Sequence, residues 1–274
     1  MLGAIIGDIV GSTRELYNVK SEDFELLSQG SRFTDDTVMT LAVAKWLMDN
    51  PTHNSDSLIK IMQDMGRMYP YAGYGGMFLK WLMSDNPMPY GSYGNGSAMR
   101  VSPVGIYAKS LEEAMELAKI TASVTHNHPN GVRGAQAIAG CVYLKTHEPI
   151  GTKEKIITFV QDTFGYNISF KLEDIRDKYS FDLSCQGSVP IAIMAFLQRN
   201  SALATLRLAI SMGGDSDTIG CMAMSIAHAC SFGIPPSNTD IPEEIISRCR
   251  ELLPKELLDI NDHFEALVNS SSLG

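Results

Sequence analysis

The sequence predicts an all-α fold, a single compact domain of many packed helices over residues 1–274. Apolar residues recur at offsets of three and four through most of the chain, which is the spacing of one helix face. Alternating apolar and polar runs, which would indicate half-buried strands, are weak by comparison. With 45% hydrophobic and 19% charged residues the chain can form a large buried core, and no linker divides it.

The N-terminal apolar run, residues 2–10, is too short for periodicity to separate a helix from a buried strand. Small residues four apart favour the helix, because such a ridge lets two helix backbones approach closely. A similar ridge, with offsets of three and four, lies near the C-terminus. The two ridges consist of Gly3, Gly7 and Gly11 and of Gly220, Ala223, Ala227 and Cys230.

Further helices are predicted from apolar faces and from residues that favour helix starts. Thr34 is a natural N-cap ahead of an apolar helix over residues 38–48, which stops near Pro51. Pro129 suits the first turn of a later helix. The predicted buried faces are Leu111, Ala114, Met115, Ala118 and Ala122; Val132, Ala135, Ala139, Val142 and Tyr143; Leu203, Leu206 and Ile210; and Ile219, Ala223 and Ala227.

Composition limits the partners and the compartment. A formal net charge of -9, with no local cluster of Lys and Arg, argues against binding to duplex nucleic acid. Five widely spaced cysteines without a CxxC pair predict neither a disulfide framework nor a zinc site, and they favour the reducing cytoplasm. No apolar run is long enough to span a membrane, and Asp8 together with the lack of a basic leader argues against a signal peptide.

Two acidic pairs stand where predicted helices begin, each beside a threonine. A single pair would only complement the positive end of a helix dipole. Two matched pairs favour a metal site, because hard oxygen ligands select Mg²⁺ or Mn²⁺ over zinc and four carboxylates balance the charge of two divalent ions. The candidate ligands are Thr34, Asp35, Asp36, Asp215, Asp217 and Thr218.

Two loops between helices carry further candidates. The glycine-rich residues 91–100 could present backbone amides to an anion, although a plain turn would have the same composition. Arg100 could reach an anion or pair with a buried acid. His126 and His128 lie on a second loop, where either imidazole could face a cleft or cap a helix. The other histidines lack such a context and are interpreted as structural.

Five segments, in order along nearly the whole chain, carry a resemblance to a known family. They are residues 3–12 (GAIIGDIVGS) with Glu15, residues 34–37 (TDDT), residues 92–96 (SYGNG) running to Arg100, residues 125–129 (THNHP) and residues 213–218 (GGDSDT). Together they resemble the ADP-ribosylglycohydrolase family, and their joint occurrence is highly specific. Arg14 departs from the aromatic residue that is frequent at its position, and residues 148–184 match no motif, which leaves acceptor recognition open.

The resemblance implies an all-α enzyme that cleaves ADP-ribose from a modified substrate, a protein side chain in our interpretation, and releases free ADP-ribose. It implies two Mg²⁺ ions, or Mn²⁺, on the six ligands named above. It places Glu15 on a glutamate that approaches the metals from a mobile N-terminal loop. The residues expected to bind the diphosphate and ribose are Ser92, Tyr93, Gly94, Asn95, Gly96 and Ser97, with His126 lining the same site.

Hydrolysis at the anomeric carbon passes through an oxocarbenium-like state and needs an activated water and a protonated leaving group. Glu15 and Asp36 are the two candidates for proton transfer, and the sequence leaves the choice open. One alternative is a non-catalytic ADP-ribose reader or a crystallin-like structural relative, against which the intact ligand set argues. Another is a prenyl-type synthase that cleaves diphosphates, but residues 35–39 lack the third acidic residue of such motifs.

Overall fold

The computed structural model describes residues 1–229 and 240–271. The all-α prediction is confirmed: in these ranges no strand forms, and an isolated antiparallel bridge joins Gly94 to Ser184. The α-helices are α1 (Leu2–Gly11), α2 (Asp35–Asp49), α3 (Ser55–Met68), α4 (Gly76–Leu82), α5 (Ser102–Tyr107), α6 (Leu111–Ser123), α7 (Pro129–His147), α8 (Thr152–Phe164), α9 (Leu172–Ile175), α10 (Cys185–Leu197), α11 (Ala202–Ser211), α12 (Ser216–Ala227), α13 (Glu243–Glu251) and α14 (Lys255–Ser271). A short 3-10 helix covers Asn95–Ser97.

The two ridges of small residues pack against each other. The N-terminal run is the helix α1, every residue of which is buried, so the strand alternative is wrong. A Cβ atom on Gly7 would collide with the carbonyl of Gly220, and one on Gly11 would collide with the backbone of Asp217. Since α1 and α12 run antiparallel, the end of α1 lies beside the start of α12. Cys230, the last residue of the second ridge, lies outside the described residues.

The predicted helix starts and faces are confirmed. The Thr34 side chain caps α2 by accepting a hydrogen bond from the Asp36 amide at 3.3 Å, and Pro129 opens α7. In α6 the alanines of the predicted face are fully buried, whereas Leu111 and Met115 at its edge are half-buried. Each of the four described cysteines is a buried free thiol. None of the described helices combines the length and apolarity that a membrane crossing requires.

Candidate active site

A cavity of about 730 Å³ opens at the starts of α2 and α12. Segments that are far apart in the sequence meet there, because the antiparallel pair of α1 and α12 brings the N-terminal loop to the second acidic motif. All but one of the predicted site residues line the cavity. They are Glu15, Thr34, Asp35, Asp36, Ser92, Tyr93, Gly94, Asn95, Gly96, His126, Asp215, Asp217 and Thr218; the exception is Ser97.

Asp8, in the middle of α1, organises the start of α2. Its fully buried carboxylate accepts hydrogen bonds from the amides of Thr34 (2.9 Å) and Thr37 (3.1 Å) and from their hydroxyls (2.7 and 2.5 Å). Burial raises the pKa of Asp8 to about 6, although these four hydrogen bonds act in the opposite direction. We did not assign Asp8 to the site from the sequence. The sequence signal that could have identified it is a lone carboxylate inside an otherwise apolar helix, because a buried carboxylate needs hydrogen-bond partners.

The acidic side chains form two groups that share Asp217. Oxygen atoms of Asp8, Asp36 and Asp217 lie within 4.8 Å of one another, and so do oxygen atoms of Glu15, Asp215 and Asp217. Such sets of hard oxygen donors can hold a metal ion. Asp35 lies outside both groups, although it lines the cavity.

One deeply buried oxygen atom in these groups has no hydrogen-bond partner among the described residues. Oδ2 of Asp36 accepts from the hydroxyl of Thr218 at 3.2 Å and lies 3.4 Å from the hydroxyl of Thr34, whose proton goes to Asp8. Oδ1 of Asp36 is buried and has no hydrogen-bond partner among the residues that the structure describes. A buried oxygen without a partner is costly, and a cation beside it would remove the cost, so the residues present fit a divalent ion.

The electrostatics of the site favour bound positive charge. Burial raises the pKa of Asp35 to about 8 and, with the neighbouring carboxylates, holds the pKa values of Asp36 and Asp217 well above their ordinary range. Burial also raises the pKa values of Glu15 and Asp215, the former with help from the Asp215 charge. Without a cation these acids therefore retain protons that exposed carboxylates would lose.

The loop that carries Glu15 is attached to the turn ahead of Asp215. The Asn18 side chain donates to the Glu15 carbonyl at 3.0 Å and accepts from the Gly214 amide. Lys20 Nζ donates to three carbonyl oxygens, those of Arg176 (2.9 Å), Tyr179 (2.7 Å) and Met212 (2.5 Å). No sequence signal identified Asn18 or Lys20, since Gly214, which anchors Asn18, and all three partners of Lys20 lie more than 150 residues away.

Arg14, which stands where the family frequently has an aromatic residue, stabilises the other side of the same loop. Its guanidinium group donates to the Glu25 carbonyl at 2.8 Å and lies 5.6 Å from the centre of the Phe24 ring. The side chain thus points to its own loop and is absent from the cavity lining. Its role here is structural.

The glycine-rich loop is connected to the acidic groups through Asn95, whose Nδ2 donates to Oδ2 of Asp215 at 2.5 Å. Several of its amides are already engaged: Gly91 N donates to Asn127 Oδ1 at 2.7 Å, Asn95 N to the Leu183 carbonyl at 2.7 Å, and Gly94 N to Ser92 Oγ at 3.1 Å. They are therefore not open to an anion in this conformation.

Ser97, the predicted site residue outside the cavity lining, is fully buried behind the loop. Its hydroxyl donates to the carbonyls of Gly131 (2.8 Å) and Gly94 (3.2 Å). Ser97 therefore holds the loop against α7 and does not face the ligand space.

The two candidate histidines have different environments. His128 is the N-cap of α7, and its Nδ1 accepts from the Asn130 amide at 3.1 Å, which is a structural role. His126 lines the cavity, with its Nδ1 2.7 Å from the Thr125 hydroxyl.

Arg100 is fully buried next to Thr125 and, within the described residues, forms no ion pair with an acid. Its Nη2 donates to the Thr121 carbonyl (2.7 Å) and the Thr125 hydroxyl (2.8 Å).

Comparison with known proteins identifies the family. The sequence model of the ADP-ribosylglycohydrolase family matches residues 1–272. The chain belongs to this family. It is accordingly a hydrolase of glycosidic bonds that acts on ADP-ribosyl compounds.

Individual relatives agree with this assignment. The chain is 26% identical to mouse (Mus musculus) ADP-ribosylhydrolase ARH3 over 84% of its own length and 82% of the relative's. The protein of the same name from Homo sapiens is also 26% identical, over 84% and 83% of the two chains. A solved structure described as an ADP-ribosylglycohydrolase-related protein complex superposes with a TM-score of 0.60 at 20% identity, over 94% of this chain and 96% of that one, which supports the fold.

Residues 148–184, which match no motif of the family, also contribute to the cavity. The last four of these residues line the cavity beside the glycine-rich loop, where the bridge between Gly94 and Ser184 holds them. Phe181 and Leu183 there are 51% and 54% exposed, and Met77 across the cavity is 58% exposed. The rim of the cavity therefore carries exposed apolar side chains, alongside charged ones such as Arg32, whereas its floor is acidic.

Proposed function

We propose that this protein uses two Mg²⁺ ions to hydrolyse the bond between ADP-ribose and a modified protein side chain, releasing ADP-ribose. The observation that carries the proposal is the buried, unpartnered Oδ1 of Asp36 within two carboxylate groups that share Asp217. The relatives named ADP-ribosylhydrolase support the substrate class. Mn²⁺ would suit the same oxygen ligands.

The residues that would hold the ions are the six predicted ligands, Thr34, Asp35, Asp36, Asp215, Asp217 and Thr218. Asp8 is not proposed as a metal ligand, because both of its oxygens already accept hydrogen bonds from Thr34 and Thr37. It orients the Thr34 hydroxyl and the first turn of α2. When bound, the ions supply Lewis acidity and orientation for the hydroxyls of the distal ribose.

Glu15 is the better candidate for proton transfer. Its carboxylate is only half-buried at the cavity wall, where a water molecule can reach it, and burial beside the Asp215 charge raises its pKa, which makes it a stronger base than an exposed glutamate. Asp36, by contrast, is buried and already accepts a hydrogen bond from the Thr218 hydroxyl. Asn95, Gly96 and His126 would hold the diphosphate and ribose while the apolar side chains of the rim meet the acceptor.

The test is release of free ADP-ribose from arginine-linked and serine-linked proteins, assayed in parallel by chromatography. We expect release with millimolar Mg²⁺, none with chelator, and none from Asp36→Asn. Saturable binding of ADP-ribose without release from either substrate would instead identify a non-catalytic reader. The cytoplasmic location and the lack of affinity for duplex nucleic acid stay predictions.

A further inference from the structure

We propose that Arg100 and Thr125 are positioning residues that fix the tautomer of His126, so that its Nε2–H group donates to an anionic oxygen in the cavity. The chain of contacts runs from the buried guanidinium through one hydroxyl to the imidazole. The identity of the anion, a diphosphate oxygen of ADP-ribose, rests on the proposed function. The tautomer rests on the protein alone.

The hydroxyl of Thr125 determines which ring nitrogen carries the proton. Arg100 can only donate, so the Thr125 oxygen accepts at 2.8 Å. The hydroxyl proton then needs an acceptor of its own, and Nδ1 of His126 lies 2.7 Å away. An Nδ1 atom that accepts carries no proton. In a neutral imidazole the proton therefore sits on Nε2.

The imidazole is neutral because its surroundings oppose a second positive charge. His126 is 5% exposed, and burial together with the Arg100 cation holds its pKa well below the ordinary value. Arg100 therefore acts twice, once by directing the Thr125 hydroxyl and once by preventing protonation of the ring. No acid among the described residues forms an ion pair with either group.

The other ring nitrogen faces the ligand space. Among the described residues Nε2 has no hydrogen-bond partner, and it lies beneath the glycine-rich loop. A Cβ atom on Gly96 would stand 3.2 Å from Nε2, and one on Gly94 would stand 3.6 Å from it. Glycines at these two positions keep open the space into which the Nε2–H group points.

The tautomer can be measured without any substrate, from the ¹⁵N shifts of the His126 ring at neutral pH. We expect the Nε2–H form in the wild type and in Thr125→Ser, which keeps the hydroxyl. In Thr125→Val and Arg100→Met the preference should weaken, because Nδ1 loses its hydroxyl donor or the hydroxyl becomes free to accept from Nδ1–H. A predominant Nδ1–H form in the wild type, or unchanged ring shifts in Thr125→Val, would overturn the assignment.

Affinity for ADP-ribose, measured by calorimetry on the same proteins, tests the donor role. We expect a loss of about tenfold in Thr125→Val, which corresponds to about 1.4 kcal/mol, and recovery in Thr125→Ser. His126→Gln, which can place an amide N–H near the Nε2 position, should bind more tightly than His126→Asn. The Nε2–H form without any ADP-ribose binding would support the tautomer and overturn ADP-ribose as the ligand. Equal affinities of the Gln and Asn variants would overturn the donor role.

Discussion

Asp217 is shared by both carboxylate groups, so at the scale of single residues it is the side chain whose charge matters most to bound cations. Asp217→Asn keeps the shape and removes the charge. We expect loss of detectable Mg²⁺ binding and of turnover, and the same from Asp36→Asn. Asp182→Asn is the matched control, since Asp182 lines the cavity but belongs to neither group. Calorimetric titration with Mg²⁺ measures the affinity, and wild-type affinity in Asp217→Asn would contradict the two-group site.

Substitution of Glu15 is expected to lower the turnover rate far more than the affinity for Mg²⁺ or ADP-ribose. The four predicted aspartate ligands already match the charge of two divalent ions, so Glu15, although its carboxylate lies beside Asp215 and Asp217, is not needed to balance that charge and is available for proton transfer. In Glu15→Gln we expect Mg²⁺ and ADP-ribose affinities within about threefold of the wild type, and turnover lower by about 10²- to 10⁴-fold. Single-turnover kinetics combined with calorimetry make the measurement. Normal turnover in this variant would transfer the proton-transfer role to Asp36.

The sequence predicted those residues whose chemistry stands out locally. The acidic pairs follow recognisable helix starts, so their convergence could be inferred before any coordinates. Asp8 was missed because its two partners, Thr34 and Thr37, lie at the start of another helix, and a buried acid within an apolar run has no local partner to reveal it. Ser97 was included because composition cannot tell a loop's inner face from its outer face.

At the scale of secondary-structure elements, the close approach of α1 and α12 sets the position of the site. Gly7→Ala would press a methyl group into the Gly220 backbone, and overpacking of this kind costs roughly 1–3 kcal/mol. We expect a lower midpoint in urea denaturation. Gly76→Ala, at the start of α4 with nothing within 4 Å of the added carbon, is the control and should be neutral or stabilising. Equal stability of the two variants would argue against the close approach.

The N-terminal loop is a second element whose order depends on a few contacts. Lys20 joins it to the segments before α10 and α12 through three carbonyls, so Lys20→Met should loosen residues 12–20 and misplace Glu15. We expect faster amide hydrogen exchange in those residues and slower turnover, with Mg²⁺ affinity retained. Lys178→Met changes an exposed lysine of the neighbouring segment and serves as the control. Unchanged exchange in Lys20→Met would mean that the loop is held by other contacts.

Helices were easier to predict than the way they meet. Spacing identified α6, α7 and α12, since one face of each is apolar or small, and for α1 the small residues favoured a helix over the strand alternative. The two small-residue ridges predicted close helix contacts, but no local pattern specified that they pack against each other or that α1 and α12 run antiparallel. That direction depends on the whole set of packed helices, and it is what brings Glu15 to Asp215.

At the scale of the whole molecule, the buried acids of the site lower the stability of the folded protein when they are ionised. Acids whose pKa is raised in the folded state, such as Asp8 (about 6) and Asp35 (about 8), bind protons there that the unfolded chain has already released. The native state then holds more protons between about pH 4 and pH 8, so the stability of the metal-free protein falls as the pH rises through this window. As the pH rises, the buried carboxylates must ionise in the folded protein, and without bound metal no cation balances their charge.

Bound Mg²⁺ should offset this loss, because a ligand that binds only the native state stabilises it by mass action and competes with protons for the same oxygens. We therefore expect the rise in thermal midpoint on adding millimolar Mg²⁺ to be larger at about pH 8 than at about pH 5. Asp217→Asn, which lacks the shared carboxylate, should show little rise at either pH. Scanning calorimetry with chelator and with Mg²⁺ at both pH values makes the comparison. Identical melting curves with chelator and with Mg²⁺ at pH 8 would mean that the buried carboxylates tolerate their charge without a cation, and the proposed metal centre would then have to be abandoned.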